Sequence, residues 1–470
     1  MIGRIFRHST VYVVAVVFQR GLPLVLLPIV ASQLSGSSIG AIGLGVLVAG
    51  AVSLIATLGL NVAAIRYRAD ESGVSLRSWS SLFVVQLGWS LLVGLVFLGI
   101  ATAWLPWDAS EGGRALAHSA IALGLAQSWL QMATASYRAR QKPGGYLAIT
   151  AAVFAISIPT AVILTQSLGT VGYLRGLAIG AAVPAIIGVA LSISRPTFDR
   201  KFLFGALLLS APFMVHWAAT WGLMGFDRIL IDRYVGLEAV GVFYLAFLYA
   251  SIPLLVAESF GTAWLPAFLN ADVDDRTLGR LTAVVSLGIA GLVVLGIGSA
   301  IMIMPLLYAD LDAAVLPLLA ILAPMAIIRV PHIVATAPIV AAHRTTTLGF
   351  SSVGAAAVNV TAVVAVVGSF GLAGVAWSKI LAFAVASLWL WLAAMPRATW
   401  PVGLVTIFSG AVVSGISVGL TSAIGQGAVV APIVALFTVT GLATIAVALR
   451  YFVVHFGVPE TEEHGVGTLQ

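Results

Sequence analysis

Four cations stand inside otherwise apolar stretches of this 470-residue chain: Arg20, Arg175, Arg329 and Lys379. A charge at the centre of a bilayer costs about 2.5–3.5 kcal/mol on insertion scales, so a charged side chain kept there is a candidate for function. Arg20 lies beside Gly21 and Pro23, and Arg329 lies between Pro324 and Pro331. Proline bends a helix and frees backbone groups toward a cavity. Lys379 and Arg175 stand nearer the ends of their stretches, where snorkelling to the interface or internal pairing competes with a binding role. Glu258 is the one acid clearly inside an apolar stretch. A cavity that collected the four cations would therefore be positive and attract anions, and guanidinium groups grip phosphate oxygens with paired donors.

Other constellations carry weaker chemistry. Asp227-Arg228 and Asp232-Arg233 put Arg228 four residues from Asp232, the spacing of a helical salt bridge. That pair either holds a helix end or acts as a gate. His216 and Glu258 fall at similar depth on neighbouring spans, where a buried carboxylate and a histidine either exchange protons or share a static hydrogen bond. Gln127 and Gln131 share one helix face and, with Trp221, suit either a polyhydroxylated ligand or bonding between helices. The chain has no cysteine, which excludes disulfides, thiolate metal sites and cysteine nucleophiles. It also lacks a glycine-rich phosphate loop ending in Lys-Ser or Lys-Thr, so ATP hydrolysis is not expected. No cofactor, no metal and no enzymatic activity are expected.

The elements that must position these groups follow from composition. Hydrophobic residues make up 60% of the chain and charged ones 9%, against about 25% charged in soluble domains; the mean hydropathy is +1.09. Apolar runs of about 20 residues recur throughout, each able to cross about 30 Å of hydrocarbon as a helix. The short alternating segments of a membrane barrel are missing. The expected fold is an all-α polytopic membrane protein of fourteen transmembrane helices, the first a retained span and not a cleaved signal. Sixteen Lys and Arg residues, among them Arg66, Arg140, Arg200 and Arg344, fall at the N-terminus, in alternate loops or at the end of the last span, against three on the opposite side. That bias puts both termini in the cytoplasm and accounts for the net charge of +6 without nucleic acid.

The chain also repeats. Gly40 and Gly241 differ by 201, Gly59 and Gly261 by 202, Gly169 and Gly371 by 202, and Arg140 and Arg344 by 204. A duplication of six spans inserts both halves the same way up, related by a pseudo-twofold axis along the membrane normal. The expected organisation is an N-terminal six-helix lobe over residues 1–200, a C-terminal six-helix lobe over 201–397, two further helices over 398–454 and a cytoplasmic tail over 455–470. Two such lobes enclose a central cavity suited to alternating access.

Several stretches resemble the polysaccharide-export or oligosaccharide flippase family of the multidrug/oligosaccharidyl-lipid/polysaccharide superfamily. These are Phe226-Asp227-Arg228-Ile229-Leu230-Ile231, Gly236-Leu237-Glu238-Ala239-Val240-Gly241-Val242-Phe243-Tyr244, Gly371-Leu372-Ala373-Gly374-Val375-Ala376, the connection from Tyr137 through Arg140 to Tyr146, and the pair Arg344 and Asn359. The resemblance implies that a lipid-linked oligosaccharide moves from the cytoplasmic to the outer leaflet of a bacterial cytoplasmic membrane, for cell-surface polysaccharide synthesis. Arg20, Arg329, Lys379 and Arg175 would then meet its polyprenyl pyrophosphate, and Gln127, Gln131 and Trp221 its sugars. The last two helices would border a groove for the lipid tail. Lipid-linked saccharide, membrane lipid and polysaccharide assembly enzymes are the expected partners of a monomer. The alternatives are a drug or cation antiporter of the same superfamily, which needs acidic groups in its cavity, and a membrane polysaccharide polymerase or ligase, which needs a larger outer loop than any here.

Overall fold

A computed structural model describes residue 18 and residues 21–69, 75–103, 111–269, 274–308, 311–342, 344–395, 399–425 and 430–456, and among these every regular element is a helix. In chain order they are α1 (Gly21–Gln33), α2 (Gly36–Thr57), α3 (Leu60–Ala69), α4 (Leu76–Ala103), α5 (Glu111–Ala139), α6 (Pro143–Ala190), α7 (Arg200–Gly225) and α8 (Asp227–Tyr234). The chain continues through α9 (Leu237–Ala250), α10 (Ile252–Leu269), α11 (Asp275–Leu307), α12 (Asp312–Leu322), α13 (Met325–Ala341), α14 (Thr345–Ala394), α15 (Trp400–Gly425) and α16 (Val430–Phe456). Backbone amides in hydrocarbon need partners inside the chain, so helix starts are capped. Ser35 accepts from the Ser38 amide ahead of α2, Asp199 from the Lys201 and Phe202 amides ahead of α7, and Asp274 from the Thr277 amide ahead of α11.

Among the described residues nine helices are long and apolar enough to cross a membrane, or ten if α9 and α10, bent by 45°, form one span. Two of them are far longer than a bilayer is thick. At 1.5 Å per residue, the 48 residues of α6 and the 50 of α14 would extend more than twice the hydrocarbon depth of about 30 Å. Each contains a single non-helical residue, Gly169 (φ 56°, ψ −132°) in α6 and Gly371 (φ 53°, ψ −141°) in α14. Glycine takes such a conformation without the steric penalty a side chain brings. The chain reverses there. Beyond the turn in α6, Gly176 lies against Ala161 and Gly180 against Ser157, and the Thr160 hydroxyl donates to the Gly176 carbonyl at 3.1 Å. In α14, Gly354 faces Trp389 across the corresponding hairpin.

The repeat read from the sequence is visible as contacts. Helices α2 and α9 cross where Gly40 and Gly241 meet: a side chain on Gly40 would run into the Leu237 carbonyl, and one on Gly241 into the Gly36 carbonyl. These paired contacts are what a pseudo-twofold axis between α2 and α9 requires. Arg140 donates to the Ser192 carbonyl at the end of the first hairpin, and Arg344 to the Ala393 carbonyl at the end of the second, at 3.3 Å. The Gly59–Gly261 correspondence does not hold. Gly59 sits at the break between α2 and α3 with φ 66°, beside Leu58 with φ 51°, whereas Gly261 lies within α10 against Ile333; the second half breaks earlier, at Ser251 between α9 and α10. Helix α16 lies along α11, with Gly441 against Gly291 and Leu295, and α15 crosses α13 with Gly410 against Ile328. The final pair thus rests on the second half of the chain.

Candidate functional site

Helix α7 is the element on which the candidate residues converge. Successive residues point about 100° apart around a helix, so neighbouring side chains of α7 reach different partners. His216 shares a 2.9 Å hydrogen bond between its Nδ1 and Ser352 Oγ of α14. Trp217 instead faces α2 and α5. One turn on, the Trp221 indole donates to the Leu47 carbonyl of α2 at 3.0 Å. That bond ties Trp221 to a neighbouring backbone.

On the side of α7 toward α14 lies a group of ionisable side chains. Arg329 stands one turn into α13, just beyond the break at Pro324, and Pro331 withholds an amide from that same turn. Its guanidinium lies over the Phe383 ring of α14 at 5.6 Å. Half-buried, it has no hydrogen bond or ion pair within the described residues, although Glu258 of α10 interacts with it electrostatically. His216 and His332 feel the same charge. His332, three residues on and on the same face of α13, is buried with Nδ1 3.4 Å from the Ala386 carbonyl. His216 and Glu258 thus do not bond to each other; both belong to a set organised around Arg329.

A second ionic group is sealed away from solvent. Lys379 (0% exposed) forms an ion pair with Asp227 (1%), its Nζ 2.7 Å from Oδ2, and donates to the Leu223 carbonyl at 2.8 Å. The same ammonium lies 4.7 Å from the Phe247 ring centroid. Arg228 donates to the Gly43 carbonyl of α2 at 3.1 Å and stacks on Tyr244 at 4.7 Å. It therefore fastens α8 of the second half to α2 of the first. Asp227 Oδ1 and Arg228 Nε are buried without a hydrogen-bond partner. The Arg228–Asp232 salt bridge expected from their spacing is not formed, because Arg228 points inward to α2 and α9 while Asp232 is exposed. Lys379 is neutralised by Asp227 in this state and is not free to meet an anion.

The remaining expected residues lie apart. Arg175 is exposed on the returning arm of the α6 hairpin, where Nε donates to Ser119 Oγ at 3.3 Å. Arg20 lies outside the described residues. Gln127 and Gln131 line a cavity with Ser53 and Thr57 of α2 and Trp217 of α7. Sequence reading named the two glutamines and missed their companions. The signal was available for Ser53 and Thr57, which repeat at four-residue spacing on α2 as Gln127 and Gln131 do on α5. Nothing local distinguishes Trp217 from Trp221, or marks His332 and Ser352.

Helices of this length and apolarity, arranged as two halves about an axis and meeting polar groups at their boundary, define a multi-pass α-helical membrane protein. Residues 5–272, more than half the chain, match the model of the polysaccharide biosynthesis protein family, and the chain belongs to that family. No curated protein sequence matches it. Among solved structures it is similar to the lipid II flippase MurJ in an inward closed conformation, with a TM-score of 0.68 at 14% identity, covering 94% of this chain and 98% of that one. It is also similar to an inward-facing multidrug-resistance transporter of the MATE family, with a TM-score of 0.67 at 15% identity over 83% and 95% of the two chains. A MOP-superfamily transporter from Pyrococcus furiosus, described as having a binding pocket of reverse polarity, aligns with a TM-score of 0.54 at 14% identity over 86% and 96%.

Proposed function

We propose that the protein is a flippase that carries a lipid-linked, polyprenyl-pyrophosphate oligosaccharide from the cytoplasmic to the outer leaflet by alternating access. The observation that carries this reading is Arg329, a guanidinium held over an aromatic ring within the apolar span with its donors unengaged by any of the described residues. Two phosphates offer the paired oxygens that such a planar fork prefers. A drug cation would be repelled by it, and among the described residues Glu258 is the acid whose charge reaches it. Family membership and the likeness to a lipid II flippase support the substrate class.

In the proposed cycle the lobes 1–200 and 201–397 rock about the α2–α9 contact. The Arg228 bond to Gly43 and the buried Lys379–Asp227 pair close the outer side of the cavity. Anionic headgroup drawn to Arg329 and later to Lys379 competes with Asp227 and loosens that closure. Glu258 and His216, both within the field of Arg329, would return protons as the empty carrier resets. The setting proposed is the bacterial cytoplasmic membrane, with both termini cytoplasmic and the 398–454 helices beside the lipid tail.

Deleting the gene in its host is expected to leave a lipid-linked saccharide accumulating on the cytoplasmic face. The wild-type gene should clear it and Arg329→Gln should not. Accumulation of a toxic organic cation in place of the saccharide would contradict the reading.

A further inference from the structure

We propose that the cavity between α2, α5 and α7 is a binding subsite for one uncharged sugar ring. Its volume is about 210 Å³, below the roughly 300 Å³ at which pockets for drug-sized ligands begin, so it has room for a single ring. The inference rests on the reading of the protein as a saccharide carrier, and it adds what kind of sugar is recognised and where.

The lining decides the ligand class. Among the described residues it contains no ionisable side chain: its polar groups are the amides of Gln127 and Gln131, the hydroxyls of Ser53 and Thr57, and the indole of Trp217, with Gly50 and Leu54 beside them. Some of these groups are already oriented. Gln131 Nε2 donates to Ser53 Oγ at 2.9 Å, its Oε1 faces Asn61 Nδ2 at 3.5 Å, and the Thr57 hydroxyl donates to the Ser53 carbonyl. Others are free: Gln127 and the Trp217 indole N–H make no hydrogen bond within the described residues. The site therefore offers a fixed polar floor plus donors and acceptors that await a partner.

A pyranose matches that offer. Its hydroxyls both donate and accept, as a primary amide does, and its C–H faces suit an aromatic ring such as Trp217, which leans on Phe213 with centroids 6.3 Å apart. A sugar bearing a carboxylate or an ammonium would bring a charge into partly buried surroundings with no counter-charge in the lining, which is costly. The Arg329 group lies toward a different face of α7, because His216, which feels its charge, points to α14 while the adjacent Trp217, about 100° round the helix, points to α2 and α5. A pyrophosphate at Arg329 and a neutral sugar at Gln127 would thus approach different faces of one helix.

The test is ligand-observed NMR on the full chain in nanodiscs, with N-acetylglucosamine and galactose as neutral probes, glucuronate as a charged one and inorganic pyrophosphate as the probe for Arg329. Saturation transfer to the neutral sugars is expected for the wild type, with binding about tenfold weaker in Gln127→Ala and in Trp217→Phe. The latter keeps an aromatic face but removes the N–H together with the five-membered ring, so Gln127→Ala, which leaves the indole in place, is read beside it. Pyrophosphate binding should be unchanged in both and lost in Arg329→Gln. The proposal is overturned if neither neutral sugar binds the wild type, if glucuronate binds as well as they do, or if both cavity variants bind like the wild type. Loss of pyrophosphate binding alone would count against the flippase reading and leave the sugar subsite standing.

Discussion

The face that α2 and α5 turn toward α7 carries amides and hydroxyls, Gln127, Gln131, Ser53 and Thr57, whereas α10 and α13, packed together beyond α14, carry Glu258, Arg329 and His332. The frame beneath these two walls is symmetric. Gly40 and Gly241 cross on the axis, Gly169 and Gly371 reverse the two long hairpins, and Arg140 and Arg344 cap equivalent hairpin ends. The two halves thus share features of one scaffold and differ in the chemistry of their inner surfaces. Backbone constraints are kept because every helix needs them; cavity side chains are free to diverge because only the ligand reads them.

The largest expected effect concerns the buried ion pair that joins α8 to α14 within the second half. Lys379→Met leaves the Asp227 carboxylate buried and unpaired, which should cost about 3–5 kcal/mol of stability, read as a lower melting temperature in detergent. Adding Asp227→Leu should restore much of that loss. A double variant as unstable as the single one would remove the ion pair from the account. Next comes the contrast between the walls: Arg329→Gln should weaken pyrophosphate binding about hundredfold, about 3 kcal/mol. Arg329→Lys should fall between, because lysine keeps the charge and loses the planar fork. If Gln127→Ala cost as much for pyrophosphate as Arg329→Gln, the two walls would not be chemically distinct.

The symmetry of the frame is tested by Gly169→Ala and Gly371→Ala. An added methyl meets no atom within 4 Å at either position, so only the backbone conformation is penalised, by about 1–3 kcal/mol. Equal destabilisation in thermal melts is expected, and a cost confined to one glycine would break the equivalence. The smallest expected effect is that of Glu258→Gln, which should flatten the dependence of transport on an imposed proton gradient while leaving pyrophosphate binding within a fewfold. Equal gradient dependence in the variant and the wild type would exclude Glu258 from coupling.

The frame was legible in the sequence because the bilayer dictates span length and the hairpin turns demand glycine. Gly169 and Gly371 stand out at a constant offset for that reason. The false pair, Gly59 with Gly261, shows the limit: glycine is common in membrane helices, and Gly261 serves packing against Ile333 where Gly59 serves a turn. Facing was not legible. Lys379 and Asp227 are far apart in the chain, so no local spacing announces their contact, and the nearer partner suggested for Arg228, Asp232, turned out to be on the exposed side. Trp221 was the expected sugar contact, yet its indole is tied to Leu47. Trp217, one turn earlier, faces the cavity; α7 is apolar around most of its circumference, so its sequence does not mark which tryptophan looks inward.

The most direct measurement is made on the purified chain in liposomes containing a fluorescent polyprenyl-pyrophosphate oligosaccharide, with its accessibility to an external quencher followed over time. The account predicts translocation by the wild type and little by Arg329→Gln, with no uptake of an organic cation under the same gradient. Cation uptake without movement of the lipid-linked saccharide would contradict it.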